Sequence, residues 1–310
     1  MHREHLSLRL LLLGIVGACL AFLLFSSPDT GGSRILGAGL NCGHFPLFGV
    51  IAVSLFFFFE LGRPQGLKNH AMAWGLTALM GLVTECIQLF QPQRFFELRD
   101  LANDALGAFT FLAFIYSFKI TDGRWRNGLR VILVLICLAV TIPIWQAVAE
   151  WRNMVRSFPL IGSFESVDEM KRWHTIDATL ALSHQHATQG SLSAEVHLLP
   201  GEYPGITSDY FYGDWRGFQN LALDVYLPGT TPVTLRMRIN DKHHNQEHSD
   251  RYNQSVELVP GLNHIRIPLS YVAAAPRNRP MDIQAITLIC LFVHGLEKPC
   301  TIYIDNIRLL

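Results

Sequence analysis

Hydrophobic positions along this chain follow two regimes. Up to about Trp151 they form helix-length apolar runs at residues 6–25, 43–61, 71–90, 101–118 and 129–149. A helix crossing hydrocarbon needs about 20 mostly apolar residues, so the pattern predicts an α-helical membrane bundle of about five spans. From Phe158 onward the period drops to two. Val233, Leu235, Met237 and Ile239 point one way while Thr234, Arg236, Arg238 and Asn240 point the other, and Leu221, Leu223, Val225 and Leu227 repeat the pattern. Each is a half-buried strand. Pro200-Gly201, Pro228-Gly229 and Pro260-Gly261 separate the strands at a spacing that predicts an all-β antiparallel sandwich. Residues 285–293 are apolar on both faces and belong in a sheet interior. The chain therefore divides into a helical domain, 1–156, and a sandwich, 157–310; about 150 residues suffice for one such core.

Composition agrees with this division. Half of the residues are hydrophobic, only 16% are charged and the formal net charge is +0, which places the chain in the membrane class. A signal peptide is the alternative for the first run. Its apolar core is long and Ser26-Ser27-Pro28 is a poor cleavage site, so a retained helix is expected. Arg3, Arg9, Arg63, Lys68, Lys119, Arg124, Arg126 and Arg130 fall on connections that would share one side, and cytoplasmic loops retain positive charge. An odd number of spans then delivers the sandwich outside the cytoplasm. The neutral balance gives no support for a nucleic-acid partner. No phosphate-cradling glycine loop, nucleophile elbow or Cys–His spacing is present. Cys290 and Cys300 either pair across a late hairpin or stay as two buried thiols.

Several polar residues lie where lipid is expected. Glu85 and Gln88 share a helix face, as do Asp100, Asn103 and Gly107, and His44 enters the second span from the same side. An ionisable group near bilayer depth costs about 2.5–3.5 kcal/mol on insertion scales, so these groups are expected to turn inward and pair. Glu85 with Arg94, or Arg94 with Asp100, are the natural pairs. Asp104 reads instead as a helix-end residue at the headgroups.

This arrangement resembles the VanZ-like family, with His44, the turn Thr84-Glu85-x-x-Gln88, then Pro92, Arg94, and Asp100-x-x-Asn103-x-x-x-Gly107. Leu40 and Asn41 stand where the family usually has an Asp-Lys pair. The resemblance implies a bacterial cytoplasmic (inner) membrane protein linked to tolerance of glycopeptide antibiotics. His44, Glu85, Arg94 and Asp100 are then the catalytic candidates, with Thr84, Gln88 and Asn103 lining a membrane pocket.

The second half resembles jelly-roll carbohydrate-binding modules appended to some glycoside hydrolases. The likeness rests on Phe164-Glu165, Trp173, residues 186–190, Gly213-Asp214-Trp215, Leu223-Asp224-Val225, Asp250-Arg251-Tyr252 and Ile304-Asp305-Asn306-Ile307. A sugar site needs flat aromatic faces and a few directed polar groups. Tyr212, Asp214 and Trp215 offer both, as do His244 and Arg251 in the loop 241–252. For Trp215, packing at the sandwich rim is an equal alternative. The histidines of that loop lack a second ligand pair at zinc spacing. The resemblance implies a structural calcium held by Glu165 and Asp305, with hydrogen-bonded carboxylates as the alternative.

Three functions remain open from sequence. The leading one is a protein whose outer sandwich binds a cell-envelope polysaccharide or lipid-linked glycan near a polar intramembrane pocket. The second is a membrane-embedded enzyme acting on a lipid-linked glycan. The third is an assembly protein whose sandwich contacts another protein.

Overall fold

The computed structural model describes residues 2–25, 33–90 and 98–310. Pro28, Pro92 and Arg94, with the ion pairs expected of Arg94, lie outside the described residues. The chain divides into two compact units, Met1–Ala149 and Glu150–Leu310.

The first part is helical: α1 (His2–Phe25), α2 (Arg34–Glu60), α3 (Leu67–Gln88), α4 (Leu98–Ser117), α5 (Gly123–Val140) and α6 (Ile142–Ser157). Ser33 caps α2 by accepting from Leu36 N–H at 3.3 Å, and Asp122 caps α5 by accepting from Arg124 N–H at 2.7 Å. These caps satisfy donors that a helix start leaves open. Among the described residues, four helices are long and apolar enough to cross a membrane: His5–Phe25, Arg34–Glu60, Leu67–Gln88 and Gly123–Ser157, which joins α5 and α6. The expected fourth run forms α4, which carries Arg99, Asp100 and Asp104 and is not among these four.

What α4 lacks in apolarity it makes up in packing. Phe48, Ile51, Ala52, Leu55 and Phe56 of α2 form one core with Ala73 of α3, and Ala108 and Leu112 of α4 join them. A Cβ at Gly107 would stand 2.0 Å from the Phe45 carbonyl oxygen, so only glycine lets α2 and α4 approach this closely. Leucines and valines such as Leu10, Leu79 and Val134 remain exposed on the helices, as a lipid-facing surface requires. Basic residues gather at one end of the bundle. The Arg9 guanidinium lies over Phe58, the Lys119 ammonium over Phe56 and the Arg130 guanidinium over Phe118.

The second part is a sandwich of β1 (Leu160–Gly162), β2 (Trp173–Ile176), β3 (Ala178–Ser183), β4 (Ser193–Leu198), β5 (Gly205–Ser208), β6 (Asn220–Leu227), β7 (Val233–Asp241), β8 (Tyr252–Leu258), β9 (Gly261–Pro268), β10 (Ile286–Val293) and β11 (Cys300–Leu309). One sheet has the order β3-β4-β11-β6-β9, with β1 also on β11; the other has the order β2-β5-β10-β7-β8. The doubly apolar run 285–293 becomes β10, the central strand of the five-stranded sheet. The connections at Pro228-Gly229 and Pro260-Gly261 carry the chain from one sheet to the other rather than closing hairpins, because β6 and β7, and β8 and β9, lie in different sheets. Alternate residues Leu221, Leu223, Val225 and Leu227 of β6 are buried in one core with Leu235, Met237 and Ile239 of β7. Cys290 and Cys300 are both free. The expected hairpin between them does not form, since β10 and β11 belong to different sheets.

Candidate functional site

In the helical part, three helices converge on one polar cluster. His44 of α2, Glu85 of α3 and Asp100 of α4 each place one nitrogen or oxygen within 4.8 Å of the others. A nitrogen with two carboxylates is also a donor set that a divalent cation takes. Asp104 corrects the sequence reading: it is fully buried and its Oδ1 lies 3.1 Å from His44 Nδ1. The signal was its i, i+4 spacing from Asp100, which puts both on one helix face. Gly81 makes the room, since a Cβ there would stand 2.8 Å from Asp104 Oδ2. Asp104 Oδ2 and Asp100 Oδ1 are buried without a hydrogen-bond partner.

The other pocket residues divide. Thr84 is buried and its hydroxyl donates back to the Gly81 carbonyl of its own helix at 2.8 Å. Gln88 Nε2 donates to the Leu23 carbonyl at 3.2 Å and ties α3 to α1. Asn103 instead lines a separate cavity of about 350 Å³ with Asn41, Cys42 and Arg99.

In the sandwich, the sequence candidates scatter. Trp215 is a correction: it has no exposed surface and belongs to the core, so it offers no face to a sugar. The Tyr212 ring packs edge-on against Phe158 at 4.8 Å and lies 6.3 Å from Trp151. Asp214 is taken by Arg216, whose Nε and Nη2 donate to it at 2.9 and 2.7 Å and hold its carboxyl below the usual range. The His244 ring is buried and engaged at both nitrogens. Nδ1 faces the Asp250 carbonyl at 2.9 Å, and Arg238 Nη2 lies 3.3 Å from Nε2. With arginine as an obligate donor, Nε2 accepts and Nδ1 carries the proton. His244 therefore props Arg238 rather than meeting a ligand itself, which corrects its expected role.

Arg238 leads to a surface that the candidate residues only touched. Register across the five-stranded sheet aligns His174, Thr207, Cys290, Arg238 and Asn253 in one row. Phe292, Arg236 and Ser255 form the adjacent row. Their neighbours in sequence, Met237, Ile289 and Leu291, are in the core, so these rows face outward. Tyr203 is 45% exposed and its ring centroid lies 5.8 Å from Phe292 and 5.2 Å from His294. A hydrogen bond with Glu202 pushes the Tyr203 phenol up, against the pull of Arg236 and Arg251. Arg251 donates to Asn253 Oδ1 at 2.9 Å. The alternation on β7 already announced Arg236 and Arg238 as one face. What it could not announce is which strands stand beside them in the sheet.

The residues expected to hold calcium meet hydrogen-bond donors instead. Glu165 accepts from Ser191 N–H, Leu192 N–H and the Ser191 hydroxyl at 2.8–3.0 Å. Asp305 Oδ2 accepts from Thr188 N–H at 2.6 Å and Gln189 N–H at 2.8 Å. Calcium is cradled by oxygens, whereas here N–H dipoles point at both carboxylates. The donor set fits carboxylates that anchor the 188–192 loop and does not fit the cation. Asp241 and Asp250 are likewise committed, to Arg279, which donates to both at 2.5–2.9 Å.

Comparison with known proteins gives a distinct result for each half. A model of the VanZ/LLP1 family matches residues 12–120. No curated protein matches the chain. The solved structures match the C-terminal half. An exo-beta-agarase is 17% identical over 49% of this chain and 24% of its own, with a TM-score of 0.41. A family 11 carbohydrate-binding module from Clostridium thermocellum, in complex with a beta-1,3-1,4-mixed-linked tetrasaccharide, is 19% identical over 49% of this chain and 94% of its own, with a TM-score of 0.39. A second agarase is 15% identical over 48% and 25%, also at 0.39. The chain thus spans about a quarter of the length of the two agarases.

Proposed function

We propose that this is a multi-pass protein of the bacterial cytoplasmic (inner) membrane whose sandwich lies outside the cytoplasm and binds a cell-envelope glycan. The binding surface is the outer face of the five-stranded sheet. One observation carries this reading: an exposed aromatic ring, Tyr203, stands in one register field with Arg236, Arg238, Arg251 and Asn253. An aromatic face takes the apolar side of a pyranose while the arginine and asparagine donors fix its hydroxyls. The orientation is supported by the basic residues gathered at one bundle end, the end that stays cytoplasmic. On this reading the protein affects glycopeptide tolerance through the glycan it holds.

The test uses the full chain in lipid nanodiscs, presented to a panel of envelope glycans, with cysteine labelling of the C-terminal half in intact cells. Binding to at least one glycan, lost in Tyr203→Ala, is expected. Failure across the whole panel favours a protein partner for the sandwich, and a tail labelled only after cell lysis rejects the orientation.

A second reading, a membrane-embedded enzyme acting on a lipid-linked glycan, is favoured by the His44–Asp104 contact beside Glu85 and Asp100. A carboxylate-oriented imidazole is a general base in form. Turnover of a lipid-linked substrate that vanishes in His44→Gln would establish it; turnover unchanged in that variant would remove the cluster from any chemistry.

A further inference from the structure

The three arginines of the sheet face share one condition. Three other arginines of the sandwich are paired with carboxylates: Arg279 with Asp241 and Asp250, Arg216 with Asp214, and Arg172 with Glu169. Among the described residues, Arg236, Arg238 and Arg251 make no ion pair. Arg238 Nε donates to Asn240 Oδ1 at 3.1 Å and its Nη2 to His244 Nε2 at 3.3 Å; Arg251 Nε donates to Asn253 Oδ1 at 2.9 Å. All of these acceptors are neutral groups. They orient the guanidinium planes without cancelling their charge.

The three cations are also close together. Arg236 and Arg238 are two residues apart on β7, about 7 Å along one face of the strand. Arg251 immediately precedes β8, which pairs with β7 through Arg238↔Asn253 about 5 Å away. Burial, and then the like charge of Arg238, push the pKa of Arg251 down. Like charges held side by side without a counter-ion are unfavourable until an anion arrives. A guanidinium fork matches a carboxylate or phosphate in two parallel hydrogen bonds.

We infer that the glycan taken by this face is anionic, its sugars or linkers carrying carboxylate or phosphate groups, with Arg236, Arg238 and Arg251 as the counter-charges. This inference rests on the glycan-binding reading and narrows it. Tyr203 supplies the sugar contact and the arginines supply selection for charge. A neutral polymer of the same backbone satisfies the ring but leaves three cations unmatched.

The experiment compares four probes on the full chain in zwitterionic nanodiscs by biolayer interferometry: polygalacturonate, the same polymer after carboxyl reduction, poly(glycerol phosphate), and phosphatidylglycerol vesicles. At least tenfold tighter binding of a polyanion than of the reduced polymer is expected, and the polyanion preferred tells carboxylate from phosphate. That preference should weaken at least tenfold in Arg238→Gln/Arg251→Gln and fall in Arg236→Gln, whose exposed side chain leaves the fold intact. Equal binding of the reduced polymer overturns the inference and leaves glycan binding standing. Binding to none of the polymers, while neutral envelope glycans are also refused, removes both. Capture by the vesicles alone overturns the inference in favour of a membrane surface.

Discussion

His44 Nδ1 lies 3.1 Å from Asp104 Oδ1 and joins α2 to α4 inside the helical bundle. The contact ties together two helices whose contacting residues are 60 positions apart in the chain. The pair should therefore couple. A double-mutant cycle with His44→Phe and Asp104→Leu, read by unfolding in detergent micelles, should give an interaction of roughly 0.5–2 kcal/mol. Additive losses would show that the two side chains are neighbours without energetic partnership.

Gly107 supports the same contact from the backbone. With a Cβ placed 2.0 Å from the Phe45 carbonyl oxygen, Gly107→Ala must push α4 away from α2. The expected loss is about 1–3 kcal/mol, the range for overpacking a tight interface. Gly128→Ala, inside α5 with nothing within 4 Å, is the control and should not lower the unfolding midpoint.

Trp215 and Tyr203 separate stability from binding. Trp215 is fully buried, so Trp215→Ala should cost about 3–5 kcal/mol and compromise the sandwich as a whole. Tyr203 is half exposed, and Tyr203→Ala should spare thermal stability while weakening glycan retention. If Trp215→Ala folded normally and lost only glycan, the burial reading would fail.

Ion pairs in the sandwich differ in weight by their surroundings. Arg279 bridges two carboxylates, one of them Asp241 with no exposed side-chain surface, whereas Arg216 meets Asp214 with its own side chain 61% exposed. Removing a partner from a buried charge is costly and removing one from an exposed pair is not. Arg279→Leu should lower the melting temperature clearly more than Arg216→Leu, and should increase hydrogen exchange in the 242–250 loop. Equal melting temperatures would refute this ranking.

Acid should act on the sandwich through the same groups. Burial works against the Asp241 carboxylate, but Arg279 and nearby N–H donors prevail and hold its pKa low; Arg279 likewise lowers Asp250. Burial also opposes the charged forms of Asp224 and Glu165, yet hydrogen-bond donors lower both. A folded-state pKa below the unfolded value adds stability above the unfolded value and loses it as pH falls through the folded one. Stability should thus decline from about pH 4 downward, where unfolded carboxyls take up protons. Asp305 runs the other way. Burial raises its pKa, so its protonation favours the folded state as pH falls. Melting followed by sandwich-specific hydrogen exchange from pH 7 to 3 checks the sum, and an unchanged midpoint at pH 3 would contradict it.

Sequence by itself determined the partition of this chain between two solvents and the periods of its elements. Run length decides whether a helix can live in lipid, and alternation decides that Arg236 and Arg238 share a face opposite Met237; both are local properties. Tertiary structure alone decided the rest. Asp104 became a buried partner of His44 because glycines at 81 and 107 let three helices close around it, and Trp215 went to the core because two sheets met over it. Glu165 and Asp305 found backbone N–H groups, a matter of loop path that no spacing encodes. The arginine face depends on which strands are neighbours across distances the linear order does not record.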